Sequence, residues 1–291
     1  MEAVLPAFEK LGWQFDVYPT PFVYDYRTGF NKDKLDLDEY DLIGTCDYGI
    51  QGRHLPEDRT FIWSIDDPSL PTPDTGWKFL FSNSLYSVEH VYNNYKDTIV
   101  TYLPFAFDSF NHGFYIDIQK KKYDCIYVGN GTENKPYDLI IEPATEFYLV
   151  IYGNAWKKNS NYKYQHFVKG PVEYTTIPIK YALSKIALNM HRPLQRERYC
   201  SYIMKDFEIL GIGQCPCISD YFEGWDALFK DMMIIVKTPQ ETRQAIENVL
   251  ANPDKYSDMV ERAKDFIRSE HTYRHRVETI IQTVLEADSN A

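Results

Sequence analysis

Lys205-Asp206-Phe207-Glu208-Ile209-Leu210-Gly211-Ile212-Gly213-Gln214-Cys215-Pro216-Cys217-Ile218-Ser219 is the stretch on which the reading of this chain turns. Its middle reads as one helical turn that breaks at Gly211-Ile212-Gly213 and re-enters the fold as a short apolar strand over 215–219. Glu208 stands just before the break. A glutamate there can accept two hydrogen bonds from a sugar diol, and glycines beside it let a ligand approach the backbone closely. The same residues also read as a surface glutamate on an ordinary helix closed by a glycine cap.

Outward from this stretch, apolar runs alternate with helical patterns. Strands are predicted at Tyr40–Cys46, Thr60–Ile65, Phe79–Asn83 and Thr98–Pro104 in the first half. A helix at Ser87–Tyr95 lies between the last two. A second series follows at Asp124–Val128, Glu146–Gly153, Phe167–Gly170, Ile186–Asn189, Cys215–Ser219 and Met232–Val236, interleaved with helices that include 199–210. Pro239–Leu250 is expected to be a helix with Thr238 as N-cap and Pro239 at its first position. Ser257–Ser269 and Tyr273–Glu286 close the chain as amphipathic helices. Strand and helix alternating at this spacing predict parallel sheets with crossover helices. Near the start, Val4, Leu5, Phe8 and Leu11 have helical spacing that Gly12 closes, and Trp13–Tyr18 alternates like a strand.

With 291 residues and 44% hydrophobic content, the chain can hold two ordinary domains, each with a core. The polar stretch from about residue 109 to 123 is a plausible connection between them. The expected boundaries are 1–122, 123–270 and a terminal helix 271–291 that packs back on the first domain. A net charge of −11 makes non-specific adhesion to DNA or membranes through the global field a poor fit, though an acidic body can still carry a basic groove. Five scattered cysteines, an odd number, argue for reduced thiols and a cytoplasmic setting. Cys215-Pro216-Cys217 lacks the second pair a zinc site needs. No apolar run is long enough for a membrane span.

Six short motifs, in order, resemble one family. They are Phe61-Ile62-Trp63-Ser64-Ile65-Asp66-Asp67-Pro68, Tyr102-Leu103-Pro104-Phe105-Ala106-Phe107-Asp108, Asp124-Cys125-Ile126-Tyr127-Val128-Gly129-Asn130, Ile186-Ala187-Leu188-Asn189-Met190-His191-Arg192, the Glu208 run, and Glu270-His271-Thr272-Tyr273-Arg274-His275-Arg276. Together they resemble the CgeB-like, spore-maturation-protein type of glycosyltransferase. That resemblance implies an α/β fold of the GT-B class: two Rossmann-like domains facing across a cleft. Amino-terminal domains of this class usually open with a strand and a Gly-rich loop. Here that strand is missing, so the first domain reads as abbreviated.

The resemblance also implies a nucleotide-sugar-dependent hexosyl- or pentosyltransferase acting without a metal, with Glu208 on the donor ribose. No cofactor is expected beyond the donor itself, most simply a UDP-sugar. The acceptor stays open between a protein, a glycan, a small molecule and a modified DNA base. A non-catalytic nucleotide- or sugar-binding protein, or an epimerase, would use the same scaffold.

Ligands in doubly wound folds bind at the carboxyl ends of strands. In the second half the strand-end residues are Gly129, Asn130, Gly131, Gly153, Asn154, Gly170, Asn189, His191, Arg192 and Glu208, with Gly211 and Gly213 beyond. Gly129 and Gly131 would let backbone N–H groups meet phosphate. Arg192 offers a cationic fork for the same oxygens and could stabilise the departing diphosphate. His191 reads as a donor-site residue or as a structural histidine. In the first half, Asp66 and Asp67, held by Pro68, are the candidates for a general base; the alternative is that one of them caps the following turn. Asp47 and Asp108 also stand at strand ends. His271 and His275 read as packing residues and not as zinc ligands.

Overall fold

The computed structural model describes residues 4–17, 24–25, 29–30, 36–46, 59–64, 78–90, 98–132, 134–156, 159–198 and 201–289. The chain divides into two compact units. One comprises Met1–Phe105, Cys200–Tyr202 and Arg274–Ala291, the other Ala106–Tyr199 and Ile203–Tyr273.

In the first unit a two-residue hairpin, β1 (Tyr24–Asp25) with β2 (Gly29–Phe30), precedes a four-stranded sheet. The sheet is wholly parallel, in the order β3 (Ile43–Cys46), β4 (Thr60–Ser64), β5 (Phe79–Ser82), β6 (Ile99–Tyr102). β4 and β5 are buried along their whole length. A strand covered on both faces must be apolar at nearly every position, which is why both were legible as apolar runs. Trp63 donates its indole N–H to the Leu103 carbonyl at 3.1 Å, which satisfies the one polar atom of a buried ring. Leu5–Lys10 forms the expected helix, and Gly12 follows it with φ +84°. Trp13–Val17 does not form the expected strand. Alternation alone makes no strand without a neighbour to pair with.

The second unit holds five parallel strands: β7 (Tyr123–Val128), β8 (Leu149–Tyr152), β9 (Ser184–Asn189), β10 (Cys217–Asp220) and β11 (Ile234–Val236). Their order is β11-β10-β9-β7-β8. The chain steps outward from β7 to β8, then crosses back to place β9 on the other side of β7. The topological switch point therefore lies between β7 and β9, and the loops after these two strands flank it. Tyr127, Ile140, Ile151, Leu188, Ile218 and Ile246 belong to the core between the sheet and the helices Tyr137–Ala144 and Pro239–Ala251. Thr238 caps the latter as expected, its hydroxyl accepting from the Glu241 amide at 3.2 Å. Phe167–Gly170 contributes only an isolated bridge, Val168 to Ile151, in place of the expected strand.

The decisive stretch differs from its reading in one respect. The helix runs over Met204–Ile212 and does not break at Gly211. A Cβ on Gly211 would come within 2.5 Å of the Phe107 ring and 2.9 Å of Ile267. The glycine thus lets the helix pack against its neighbours, and that packing outweighs the roughly 1 kcal/mol that glycine costs inside a helix. Gly213 ends the helix in the left-handed region, φ +61°.

Candidate active site

The helix Met204–Ile212 begins at the carboxyl-end side of the sheet and carries three polar residues in its first turns: Lys205, Asp206 and Glu208. Asp206 accepts from the Ile203 amide at 2.8 Å, so it closes the first turn of the helix it belongs to. The two glycines at the other end, Gly211 and Gly213, touch protein and not a ligand-accessible loop; a Cβ on Gly213 would meet Lys264 at 2.6 Å.

Two polar clusters grow from this turn. In the first, His191 follows β9 and is fully buried, as are Asp206, Asp220 and Asn189. His191 Nδ1 lies 2.8 Å from Asp220 Oδ1, and Nε2 lies 3.2 Å from Asp206 Oδ2. Asn189 donates to Asp206 Oδ1 at 2.6 Å. The His191 amide donates to Asp220 at 3.1 Å, and Arg196 Nε stands 3.3 Å from Asp220 Oδ2. Burial alone would drive the imidazole neutral, but the Asp206 and Asp220 carboxylates outweigh it and raise its pKa to about 9. His191 is therefore an imidazolium clamped between two aspartates. It ties the ends of β9 and β10 to the start of the helix.

The second cluster surrounds Glu208. Its side chain is buried, and Oε1 has no hydrogen-bond partner. Burial is the main force lifting its pKa to about 7; Lys205 and a Tyr174 hydrogen bond oppose the rise, and Asp108 adds to it. His112 Nδ1 lies 4.0 Å from Oε1 and is likewise unpartnered. Asp108, a strand-end candidate from the first half, sits here as the N-cap of Ser109–His112, accepting from the Phe110 and Asn111 amides.

Beside the switch point, cations converge. Lys205 Nζ stands over the Tyr127 ring at 4.1 Å, and Lys135 Nζ donates to the Tyr127 hydroxyl at 2.9 Å. Burial lowers the pKa of both, that of Lys205 to about 8; Lys205 and Arg192 push Lys135 further the same way. Among the described residues no carboxylate lies within ion-pair distance of Lys135, Lys205 or Arg192. Glu208, Asp206 and Asp220 offset the Lys205 charge only from beyond ion-pair distance, and like charges held together without a contacting carboxylate favour an added anion. A Cβ on Gly129 would meet Lys205 Nζ at 2.7 Å, so the glycine is what lets the ammonium reach the loop. Lys135 and Lys205 escaped the sequence reading. The i, i+3 spacing of Lys205 and Glu208 on one helical face was the signal that could have found the second of them.

The other expected residues are placed as follows. The Gly129 amide donates to the Tyr152 carbonyl at 2.8 Å and the Gly131 amide to that of Asn154 at 2.8 Å. These two N–H groups are thus committed within the protein, which removes the expected amide contact with phosphate. Asn130 Oδ1 accepts from the Asn154 amide at 2.9 Å. Gly153, at φ +147°, lies so close to the Gly129 carbonyl that a Cβ would fall 2.2 Å from it. Gly170 accepts from the Gly153 amide at 2.9 Å and has φ +93°. The Asn189 side-chain amide nitrogen is taken by Asp206, while its buried Oδ1 has no hydrogen-bond partner among the described residues. Arg192 is exposed at the start of Pro193–Glu197. Asp47, Asp66 and Asp67 lie outside the described residues. Among the described residues no group of three or more His, Cys, Asp or Glu is arranged to hold a metal ion, and no helix is long and apolar enough to cross a membrane.

The profile of a family described as glycosyl transferase-like matches residues 136–282, half of the chain. No curated protein matches by sequence. Among solved structures, the chain is similar to T4 phage β-glucosyltransferase, with TM-score 0.65 and 13% identity over 97% of this chain and 92% of that one. A T4 phage BGT complex with UDP and Mn2+ gives 0.64 and 13%, over 97% and 93%. A mutant of S. aureus TarM, in complex with fondaparinux, α-GlcNAc-glycerol and UDP, gives 0.56 and 11% over 78% of this chain; the chain matches about half, 51%, of that protein's length. These neighbours are GT-B glycosyltransferases, and the two parallel Rossmann-like sheets share their fold.

Proposed function

The chain belongs to the glycosyl transferase-like family, and from that premise we propose that it moves a sugar from a nucleoside-diphosphate sugar to an acceptor hydroxyl. One observation carries the reading. Lys135, Lys205 and Arg192 converge beside the β7–β9 switch point with no carboxylate within ion-pair distance among the described residues, and a buried carboxylate with one unpartnered oxygen, Glu208, follows Lys205 by one helical turn. The cations suit a diphosphate, and Glu208 suits the ribose hydroxyls next to it. Structural neighbours solved with UDP and with UDP-glucose support a uridine donor.

In this reading the unit Ala106–Tyr199 with Ile203–Tyr273 is the donor side and the other unit the acceptor side. Asp66 or Asp67, which follow β4 closely in sequence, takes the acceptor proton. Three side-chain cations can carry the charge that a metal ion would otherwise neutralise, so transfer is expected to persist in a chelator. The order of the six motifs supports the CgeB-like branch of the family. The acceptor is any of the four classes named above.

Titration calorimetry with UDP and with GDP, on the wild-type protein and on Glu208→Ala, tests the assignment. Binding by the wild type and its loss in Glu208→Ala is the expected result. Absence of nucleotide binding by the folded wild-type protein would remove it.

A further inference from the structure

The assignment of Glu208 to the donor ribose leaves one feature of its surroundings unused. His112 Nδ1 and Glu208 Oε1 are both buried, both without a hydrogen-bond partner, and 4.0 Å apart. The other ring nitrogen, Nε2, is 2.9 Å from the Tyr174 carbonyl. A carbonyl only accepts, so Nε2 carries a hydrogen, and in the neutral ring Nδ1 presents a lone pair. A lone pair then faces a carboxylate oxygen inside the protein. Two such acceptors with nothing between them are each costly to bury. One proton resolves the conflict, because it makes either partner the donor.

Resting on the reading of Glu208 as the ribose acceptor, we propose that His112 is its positioning residue and proton store: when a donor binds, the Glu208 proton moves to His112 Nδ1. The O–H bond on Oε1 breaks, an N–H bond on Nδ1 forms, and the pair keeps its single proton. The carboxylate so released accepts from the ribose hydroxyls, and the imidazolium faces it from behind. A small rotation of either side chain closes 4.0 Å to hydrogen-bond length.

The surroundings fit both proton positions. From the helix Met204–Ile212, Lys205 favours the ionised Glu208. From the segment before Ser109–His112, Asp108 disfavours it and favours the imidazolium. The Tyr174 phenol is shared between Glu208 and Asp108, and burial together with the charges of both keeps it protonated. Tyr181, from Ile177–Ala182, is held protonated by burial and by Glu208, and the Tyr273 phenol acts on Tyr174 in the same sense. Burial holds free His112 low and free Glu208 at about 7, so before donor binding the proton belongs on Glu208.

UDP-glucose is the probe, since its diphosphate does not titrate near neutrality. Calorimetry in buffers of different ionisation enthalpy counts the protons exchanged on binding at about pH 6. The wild type is expected to bind with almost no proton release and an affinity nearly flat below the Glu208 titration, from about pH 5 to about pH 6. In His112→Asn, Glu208 must lose its proton to solvent. About one proton should then be released at low pH, and affinity should fall nearly tenfold per pH unit below the Glu208 titration. Proton release by the wild type, or a flat profile in His112→Asn, overturns the inference. Should His112→Asn not fold, histidine NMR of the wild type decides: the His112 ring should pass from neutral to imidazolium on saturation, and a ring that stays neutral overturns the proposal. Absence of UDP-glucose binding by the folded wild-type protein is a different result, and it refutes the ribose assignment itself.

Discussion

Two carboxylates two residues apart on one helix have opposite fates. Asp206 meets an imidazolium, an asparagine amide and a backbone N–H. Glu208, further around the helix, has an oxygen that meets nothing within hydrogen-bond distance. Burial is nearly the same for both. A buried charge whose valences are all filled holds the fold together. One with an empty valence is a cost the fold carries, and a ligand can remove that cost. The difference marks Asp206 as scaffold and Glu208 as site.

The largest effect should come from breaking the scaffold. His191→Leu leaves Asp206 and Asp220 buried without their cation and should destabilise the protein by about 3–5 kcal/mol. Urea unfolding measures this; a loss below about 1 kcal/mol would show that the network holds little. Next, Glu208→Ala should weaken UDP binding by about 2–3 kcal/mol, on the order of a hundredfold, without lowering the melting temperature. A large drop in melting temperature with unchanged affinity would reverse the assignment of site and scaffold. Lys205→Gln should cost about 1–2 kcal/mol in UDP affinity and flatten its dependence on salt, seen by calorimetry across a salt series.

The smallest effect is on pH stability, and it separates the clusters by sign. His191 has a folded pKa of about 9, above its ordinary 6.5. Its contribution is fully present below about 6.5 and is lost as pH rises through about 9. Glu208 is also raised, from 4.5 to about 7, so the folded state holds this proton more tightly than the unfolded one. Its charge therefore subtracts stability from about pH 4.5 upward, in full above about 7. Melting curves of Glu208→Gln should match the wild type near pH 4.5 and exceed it above about pH 7, and the decline near pH 9 should persist. A variant that melts below the wild type at about pH 8 would refute the unpaired-charge description.

Much of the fold was legible because buried parallel strands must be apolar at nearly every position, and β4, β5, β7 and β8 could be read on that ground alone. Thr238 was legible because a cap acts within one helical turn. The helix at 204–212 was misread because glycine propensity is local, while the Phe107 and Ile267 contacts that keep Gly211 helical come from far along the chain. The roles of Gly129 and Gly131 were misread for a related reason. Which carbonyl takes a loop amide depends on the neighbouring strand, and a one-dimensional pattern carries no such information.

By itself the sequence determined the alternation of strands and helices and the place of Glu208 on a late helix, since periodicity and capping act over a few residues. Only the tertiary structure decided that His191 is clamped and Glu208 is not, and that Lys135 and Lys205, seventy positions apart, share one tyrosine ring. Charges interact through space with a strength set by distance and burial, and both exist only once the sheet has brought β7, β9 and β10 side by side.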